Sequence, residues 1–540
     1  MRWWGWGDPA HPPALPPHAL GFLDATVGRG AHPRPPVALG RVSLPPGRLS
    51  GERLARLRDA FGTAAVRDDR HARVLHAAGK GYPDLVRLRA GEPGEAPDAI
   101  IYPAGAAELR RVLALCAEES IAVVPFGGGT SVVGGVAPMA GEHRSVIALD
   151  TSRMRELLHT DALSSTVTVQ GGMRAPELER RLAPRGLTLG HYPQSFEYVS
   201  LGGCAATRSA GQSSTGYGAI AEMIRGLSLY APTRQIDLPP LPATAAGPGL
   251  RQLIIGSEGA LGVIGELSLR VRRTPAERVY EGAFFREFDS GVEALRELAG
   301  EHRSLPDVVR LSDEPETRMS LSLAGAGGLK RRAGTALLAA RGYGGGCLAI
   351  LGFEGTSEDV AVRRRHALGL IRGLGGVAVG RSPGAAWQHS RFAGPYLRDD
   401  LLTQGVIVET LETAVQWSGL HALHRAVGEA ISGALGRWGT PALVMCHISH
   451  VYETGASLYF TFLARQHADD PIGQWRAAKT AATDAIAAGG GTITHHHSVG
   501  RDHAPWMARE VGEGGLAVLR AAKDELDPTG IMNPGKLFPS

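Results

Sequence analysis

Apolar and polar positions change rhythm along this chain, and each rhythm predicts a different element. Residues 8–46 are proline-rich without periodicity and read as an extended surface segment. Over 49–62 the apolar positions take the spacing of an amphipathic helix. From Ala99 a βαβ rhythm begins: a strand over 99–103, a helix over 106–120 with Leu109, Val112, Leu113 and Cys116 on one face, then the apolar strand 121–124. Strands at 145–150 and 165–170 follow, then a helix over 176–184 with Pro176 at its start. Residues 190–218 hold too many turn formers for simple secondary structure, and 231–250 read as a Pro- and Ala-rich loop. A strand at 265–271 closes this half. Beyond residue 275 strands at 307–311, 346–353, 405–411, 442–449 and 457–463 alternate with helical stretches. The fold class is α+β. The expected division is an N-terminal extension packing on the core (1–95), a first domain (96–275), a second domain (276–500) and a segment returning to the first domain (501–540).

Composition narrows the class only slightly. A chain of 540 residues exceeds what one core organises. The formal net charge of +4 suits an anionic substrate or weak attraction to anionic lipid, and falls far short of a nucleic-acid signature. Cys116, Cys204, Cys347 and Cys446 lie far apart with no Cys-x-x-Cys, as expected for reduced thiols in the cytoplasm. No apolar stretch approaches the ~20 residues that span a bilayer, and the start lacks the apolar run of a secretory signal. Trp3, Trp4 and Trp6 read as a start that docks onto the fold; contact with a membrane surface is the alternative.

Two motifs carry the candidate chemistry. Pro125-Phe126-Gly127-Gly128-Gly129-Thr130-Ser131 follows a strand and can turn bare N–H groups toward a diphosphate. It is neither a Walker loop nor a Gly-x-Gly-x-x-Gly dinucleotide fingerprint. Far downstream, Thr494-His495-His496-His497-Ser498 places three imidazoles side by side, where each perturbs the others' protonation near neutral pH. Taken alone, Tyr459 reads as a half-buried strand tyrosine. Arg398, followed by Asp399 and Asp400, reads as a surface ion pair.

Further blocks turn these motifs into a resemblance. Ser200-Leu201-Gly202-Gly203, Thr207-Arg208-Ser209-Ala210-Gly211 and Gly256-Ser257-Glu258-Gly259-Ala260-Leu261-Gly262-Val263-Ile264 follow the glycine loop in order. The set resembles the FAD-binding half of the vanillyl-alcohol-oxidase superfamily. Tyr82-Pro83-Asp84-Leu85, Val309-Arg310-Leu311-Ser312, Pro395-Tyr396-Leu397-Arg398-Asp399, the strand around Tyr459 and the histidine block are similar to the alkyldihydroxyacetonephosphate synthase family. The resemblance covers nearly the whole chain.

It implies an FAD-binding domain of the vanillyl-alcohol-oxidase type followed by an α+β cap. It also implies a redox-neutral exchange, in which acyl-dihydroxyacetone phosphate loses its fatty acid and gains a fatty alcohol as an ether, with covalent trapping at the flavin N5. Carried over by position, Tyr459 is the proton donor and acceptor and Arg398 binds the phosphate. Arg310 supports activity, and His495, His496 and His497 line the site, with His496 the second acid/base. Non-covalent FAD is expected on Pro125, Phe126, Gly127, Gly128, Gly129, Thr130 and Ser131; on Gln194, Ser195, Phe196, Glu197, Tyr198, Val199 and Ser200; on Thr207, Arg208, Ser209 and Ala210; and on Ser257, Glu258, Gly259, Ala260, Leu261, Gly262 and Val263. Cys204 reads as a small buried thiol, not a flavin attachment.

The alternative is an FAD-linked oxidoreductase of the D-2-hydroxyacid dehydrogenase type, whose ending Asn533-Pro534-Gly535-Lys536 resembles. Thr494-His495-His496 lacks the acidic residue of that pattern, so no metal is expected. The implied substrate and basic charge add an expectation of peripheral contact with the inner membrane surface, and a homodimer is left open.

Overall fold

A computed structural model describes residues 1–7, 15–301, 305–323, 336 and 338–538. Besides a two-stranded pairing of Leu187–Thr188 with Arg272–Arg273, the first half builds two larger sheets. In the smaller, Ala99–Ile101 and Ile121–Phe126 run parallel to Ser145–Asp150, and Val66–Arg67 adds an antiparallel edge. Helix Ala106–Glu118 makes the crossover and buries Leu109, Val112, Leu113 and Cys116, the face its periodicity indicates. The second sheet is antiparallel, in the order Leu157–Asp161, Thr166–Gln170, Val263–Arg270, Ile224–Tyr230, Gln235–Leu238.

Two segments are more regular than their composition indicates. The turn-rich 190–218 stretch contains helices Leu201–Ala206 and Ser214–Tyr217. Ser200 starts the first by accepting the Gly203 N–H at 3.2 Å, a cap that offsets two helix-weakening glycines. Within 231–250, Gln235–Leu238 pairs with Ile224–Tyr230 as an edge strand.

The second half is one eight-stranded sheet. Its main path runs Val377–Gly380, Glu277–Phe285, Cys347–Gly355, Val308–Ser312, Leu443–Ile448, Gly455–Arg465, Val406–Gln416. Glu277–Phe285 is absent from the strands expected by pattern, because Glu281 and Gly282 interrupt its apolar run. In place, Glu281 is buried and takes Arg364 Nη2 at 2.6 Å. One face of the sheet packs under helices Phe288–Gly300, Ser357–Gly373, Leu420–Gly436 and Pro471–Ala488. Because side chains alternate along a strand, Leu458, Phe460 and Phe462 enter that core while Tyr459, Thr461 and Leu463 line a cavity on the other face.

Both chain ends are tied in. Trp6 joins the core of the second half, and Trp4 lies under the Arg2 and Arg89 guanidinium groups at 4.7 and 5.2 Å. Near the C-terminus Met532 bridges Val123, and Asn533 Nδ2 donates to the Glu258 and Gly135 carbonyls at 2.6 and 3.1 Å. No described helix is long and apolar enough to cross a membrane.

Candidate active site

A cavity of about 2060 Å³ lies between the glycine loop and the open face of the eight-stranded sheet. Ordinary ligand pockets hold roughly 300–1,000 Å³, so this one has room for a large cofactor and a long second ligand together.

On the cofactor side all of Pro125 to Ser131 line it, with Gln194, Ser195, Val199, Ser200, Thr207, Ser209, Ala210, Glu258, Gly259, Gly262 and Val263. The loop is walled by the Ser200 side chain and the Tyr198 backbone. A Cβ on Gly127 would fall 2.1 Å from Ser200 Oγ, and one on Gly128 would fall 2.4 Å from the Tyr198 carbonyl. Only glycine lets these segments close on each other and present main chain to a ligand. That cradle fits the diphosphate of FAD.

Seven expected cofactor residues face elsewhere. Phe196 stacks on Phe392 at 5.2 Å, Glu197 is exposed, and the Tyr198 carbonyl takes the Arg174 guanidinium. Arg208 donates to the Ile255 and Gln252 carbonyls at 3.0 and 2.7 Å, because its own backbone, at φ 50°, turns the side chain away. Ser257 is buried off the cavity, Ala260 packs against the C-terminal helix cluster, and Leu261 belongs to the first-half core. Glu258 lines the cavity, yet its carboxylate accepts the Val499 and Gly500 N–H groups at 2.8 Å each. Burial pushes that carboxyl up to about 7, against those two bonds. Cys204 is buried, and burial pushes its thiol up to about 12, so it is no nucleophile at neutral pH.

The sheet side is built as a row. Register places Ser312 opposite His447, His447 opposite Tyr459, and Tyr459 opposite Glu412. The adjacent row on the same face pairs Met445, Thr461 and Thr410. Tyr459 stacks on His447 with ring centroids 4.8 Å apart and on His496 at 5.8 Å. Burial pushes its hydroxyl up to about 12, and the neighbouring Thr410 hydroxyl and Arg398 charge pull it back. Tyr459 is therefore a phenol at neutral pH.

Arg398 is not a surface ion pair. Helix Gly394–Thr403 carries it 6% exposed onto the cavity, where Nη1 donates to the Lys80 carbonyl at 3.1 Å and Nη2 reaches Thr410 Oγ1 at 3.5 Å. Asp399 turns the other way, to the Trp6 N–H at 3.0 Å. Thr410 is thus the point where the guanidinium and the phenol meet.

Arg310 lines the cavity, but its guanidinium holds two neighbours: Glu316 Oε1 at 2.7 Å and His447 Nδ1 at 3.1 Å. That histidine is the one stacked on Tyr459, so Arg310 reaches the phenol ring only through it.

The three histidines divide their work. His496 and His497 line the cavity; His495 does not. His495 lies behind them, with Nε2 at 2.5 Å from the Tyr452 hydroxyl and Nδ1 at 2.9 Å from His496 Nδ1. Burial drops the His495 ring to about 3, with a further push from His450. Burial, with neighbouring imidazoles for His496 and the Lys479 charge for His497, holds both well below the usual imidazole range too. All three are neutral at pH 7.

Glu412 sets this loop, and sequence reasoning missed it. Its carboxylate, 2% exposed, accepts the backbone N–H of His495, that of His497 at 2.6 Å, and the Thr494 hydroxyl at 2.9 Å. Burial pushes its carboxyl up, and the backbone bonds oppose that. The available signal was a glutamate at 412 inside an apolar strand pattern, since a buried carboxylate needs donors. Glu412→Ala is expected to cost about 2–4 kcal/mol of stability, each abandoned buried donor costing about 1–3 kcal/mol. Thermal unfolding checks this, and a variant as stable as the wild type contradicts it.

Among the described residues, two groups have metal-ligating atoms within 4.8 Å of one another: His450, His495 and His496; and Glu412, His496 and His497. In the second group His497 Nδ1 is buried without a hydrogen-bond partner, whereas His450 of the first is engaged through both nitrogens. His450 Nε2 is 2.9 Å from the Gly211 carbonyl and its Nδ1 is 2.8 Å from Ser449 Oγ.

The chain matches known proteins along nearly its whole length. Residues 97–235 match the family model described as "FAD binding domain", and 274–537 match "FAD linked oxidases, C-terminal domain". The alkyldihydroxyacetonephosphate synthase of Dictyostelium discoideum is 33% identical, covering 94% of this chain and 84% of that protein. The chain belongs to the alkyldihydroxyacetonephosphate synthase family. The enzyme of that name from Trypanosoma brucei brucei is also 33% identical, over 100% of this chain and 92% of its own. A solved alkyldihydroxyacetonephosphate synthase superposes with a TM-score of 0.86 at 30% identity, covering 99% of this chain and 98% of that one. Membership makes this protein an FAD-dependent enzyme.

Proposed function

We propose that the protein exchanges the acyl chain of acyl-dihydroxyacetone phosphate for a fatty alcohol, with no net redox change. The observation that carries this reading is the meeting of Arg398 and Tyr459 at Thr410, on the wall of a cavity large enough for FAD and a lipid chain. A planar guanidinium is suited to a phosphate dianion. FAD, when bound, supplies the electrophilic ring that the exchange needs.

The chain's own groups then bind and move protons. Arg398 takes the phosphate and fixes the headgroup beside Tyr459. The Tyr459 phenol donates to the departing carboxylate, and a neutral His496 takes the proton of the incoming alcohol. Arg310 and Glu316 hold His447 under the Tyr459 ring, so the phenol keeps its place. Apolar walls, including Val408, Leu463 and Leu348, keep water from competing with the alcohol.

These groups also set an expected pH response. Tyr459 ionises only near 12, and His495 protonates only near 3. Between pH 6 and 9 neither group changes state, nor do His496 and His497. The activity profile should show no limb that these residues cause. A limb near the ordinary histidine value of about 6.5 that disappears in His496→Asn would contradict this.

The oxidoreductase alternative predicts a different spectrum. Anaerobic incubation with D-lactate or D-2-hydroxyglutarate should leave the flavin oxidised; bleaching favours the dehydrogenase reading. The lipid substrates and the +4 charge also support cytoplasmic work at a membrane surface. Flotation with anionic liposomes tests that, and recovery of only unbound protein contradicts it.

A further inference from the structure

A tyrosine at the surface is joined to His496 through a single intermediate ring. Tyr452 ends the short strand Val451–Tyr452, which pairs with Ala456 and Gly455 across a turn, and it is 43% exposed. Trp417 Nε1 donates to the Tyr452 carbonyl at 3.2 Å and ties that turn down. The Tyr452 hydroxyl lies 2.5 Å from His495 Nε2, and His495 Nδ1 lies 2.9 Å from His496 Nδ1. His496 lines the cavity and stacks on Tyr459. A continuous row of hydrogen bonds thus runs from the exposed phenol to the cavity wall.

The row is held from both sides. Glu412 accepts the backbone N–H groups of His495 and His497, which flank His496. His450 packs against the His495 and His496 rings without competing for them, because its own nitrogens meet Ser449 Oγ and the Gly211 carbonyl.

Each link can both give and take a proton. The His495 and His496 rings are neutral at pH 7, and a neutral imidazole carries one N–H and one lone pair. With His496 Nδ1 spent on His495, Nε2 is the nitrogen left for a ligand. When that Nε2 holds the lone pair, the row points outward: His496 Nδ1–H to His495 Nδ1, His495 Nε2–H to the Tyr452 oxygen, and the Tyr452 O–H to water. Moving every proton one place reverses the row and leaves all three groups neutral.

We propose that Tyr452 and His495 form a proton relay that connects His496 with solvent through the cavity wall. This rests on the reading of His496 as the base of the exchange; both residues act through His496 and not on the substrate. The departing fatty acid takes a proton from Tyr459, and the incoming alcohol gives one to His496, at separate steps behind apolar walls. Outward, His496 Nε2 gains the alcohol's proton and Tyr452 releases one to water. Inward, the same shifts run backward and His496 returns a proton to Tyr459. One proton enters and one leaves per turnover, which balances a fatty acid that departs protonated and an alcohol that arrives with its own proton.

Two variants test the relay in FAD-loaded protein. Tyr452→Phe removes only the terminal oxygen. It should lower kcat about 10-fold, less than the ~10²–10⁴ of the acid/base group itself, with KM for both substrates unmoved. His495→Ala removes the middle ring and should be slowed at least as much. Free imidazole should restore much of its rate, whereas 1-methylimidazole, which fills the same space but has no N–H to pass on, should not. A merely structural ring would be replaced by either compound. Wild-type kcat in Tyr452→Phe, no rescue of His495→Ala, or equal rescue by both compounds overturns the relay and leaves the proposed function standing; a proton passed directly from His496 to Tyr459 gives the first of these results. Absence of ether product from the wild type overturns both.

Discussion

Tyr459→Phe should lower kcat by about 10³-fold while FAD stays bound, the middle of the ~10²–10⁴ range for a positioned acid/base. The substitution is mild structurally. The ring keeps its stacks on His447 and His496, with centroids at 4.8 and 5.8 Å, and loses only the hydroxyl beside Thr410. Among the described residues Tyr343 is the other tyrosine on the cavity wall, and its hydroxyl is held by the Gly375 carbonyl at 2.9 Å. Steady-state rates together with the flavin absorbance of purified protein check the result. A variant within tenfold of wild type would move the proton chemistry onto His496.

Arg398→Lys should cut kcat/KM by about 100-fold, which at about 1.4 kcal/mol per tenfold is roughly 3 kcal/mol. The loss should lie mainly in KM for the phosphate-bearing substrate. Arg398 spends one nitrogen on the Lys80 carbonyl and another on Thr410, and still presents a planar fork to the cavity. A lysine ammonium is a point donor on a flexible stem and cannot keep both anchors while gripping two phosphate oxygens. The KM for the alcohol should stay near its wild-type value. An equal rise in both constants would show that the variant had disturbed the cavity, not the phosphate contact.

Local patterns made much of this legible. Periodicity marked the crossover helix, the strand that ends in Phe126 and the long strand holding Tyr459, because each buries one continuous apolar face. The glycine loop announced itself by composition, and the structure shows why: neither Gly127 nor Gly128 has room for a Cβ. What could not be read is whatever a register decides. Tyr459 meets Glu412 and His447 across strand pairs, and Glu412 meets the His497 backbone 85 positions away. Nothing local to any of these residues specifies the others. The same holds for Trp6, whose contact with Asp399 spans 393 positions. The cofactor blocks were legible as blocks but not residue by residue. A motif records which backbone approaches the ligand; whether Arg208 or Tyr198 points in or out depends on the segments packed behind.

His495 gives the same lesson within a motif. Three adjacent histidines look equivalent in sequence. Glu412 fixes the backbone at the first and third, and the turn then sends His496 and His497 to the cavity and His495 back to Tyr452. Substitution at 495 should act on the position of His496, not on the substrate directly.

The most direct test of the central claim uses purified, FAD-loaded protein with acyl-dihydroxyacetone phosphate and labelled hexadecanol, and no electron acceptor. The account predicts labelled ether product and released fatty acid in equal amounts, with the flavin oxidised at the end. No labelled product from protein with FAD demonstrably bound would contradict it, and the pairing of Arg398 with Tyr459 would then have to serve oxidation of a different phosphorylated or carboxylated alcohol.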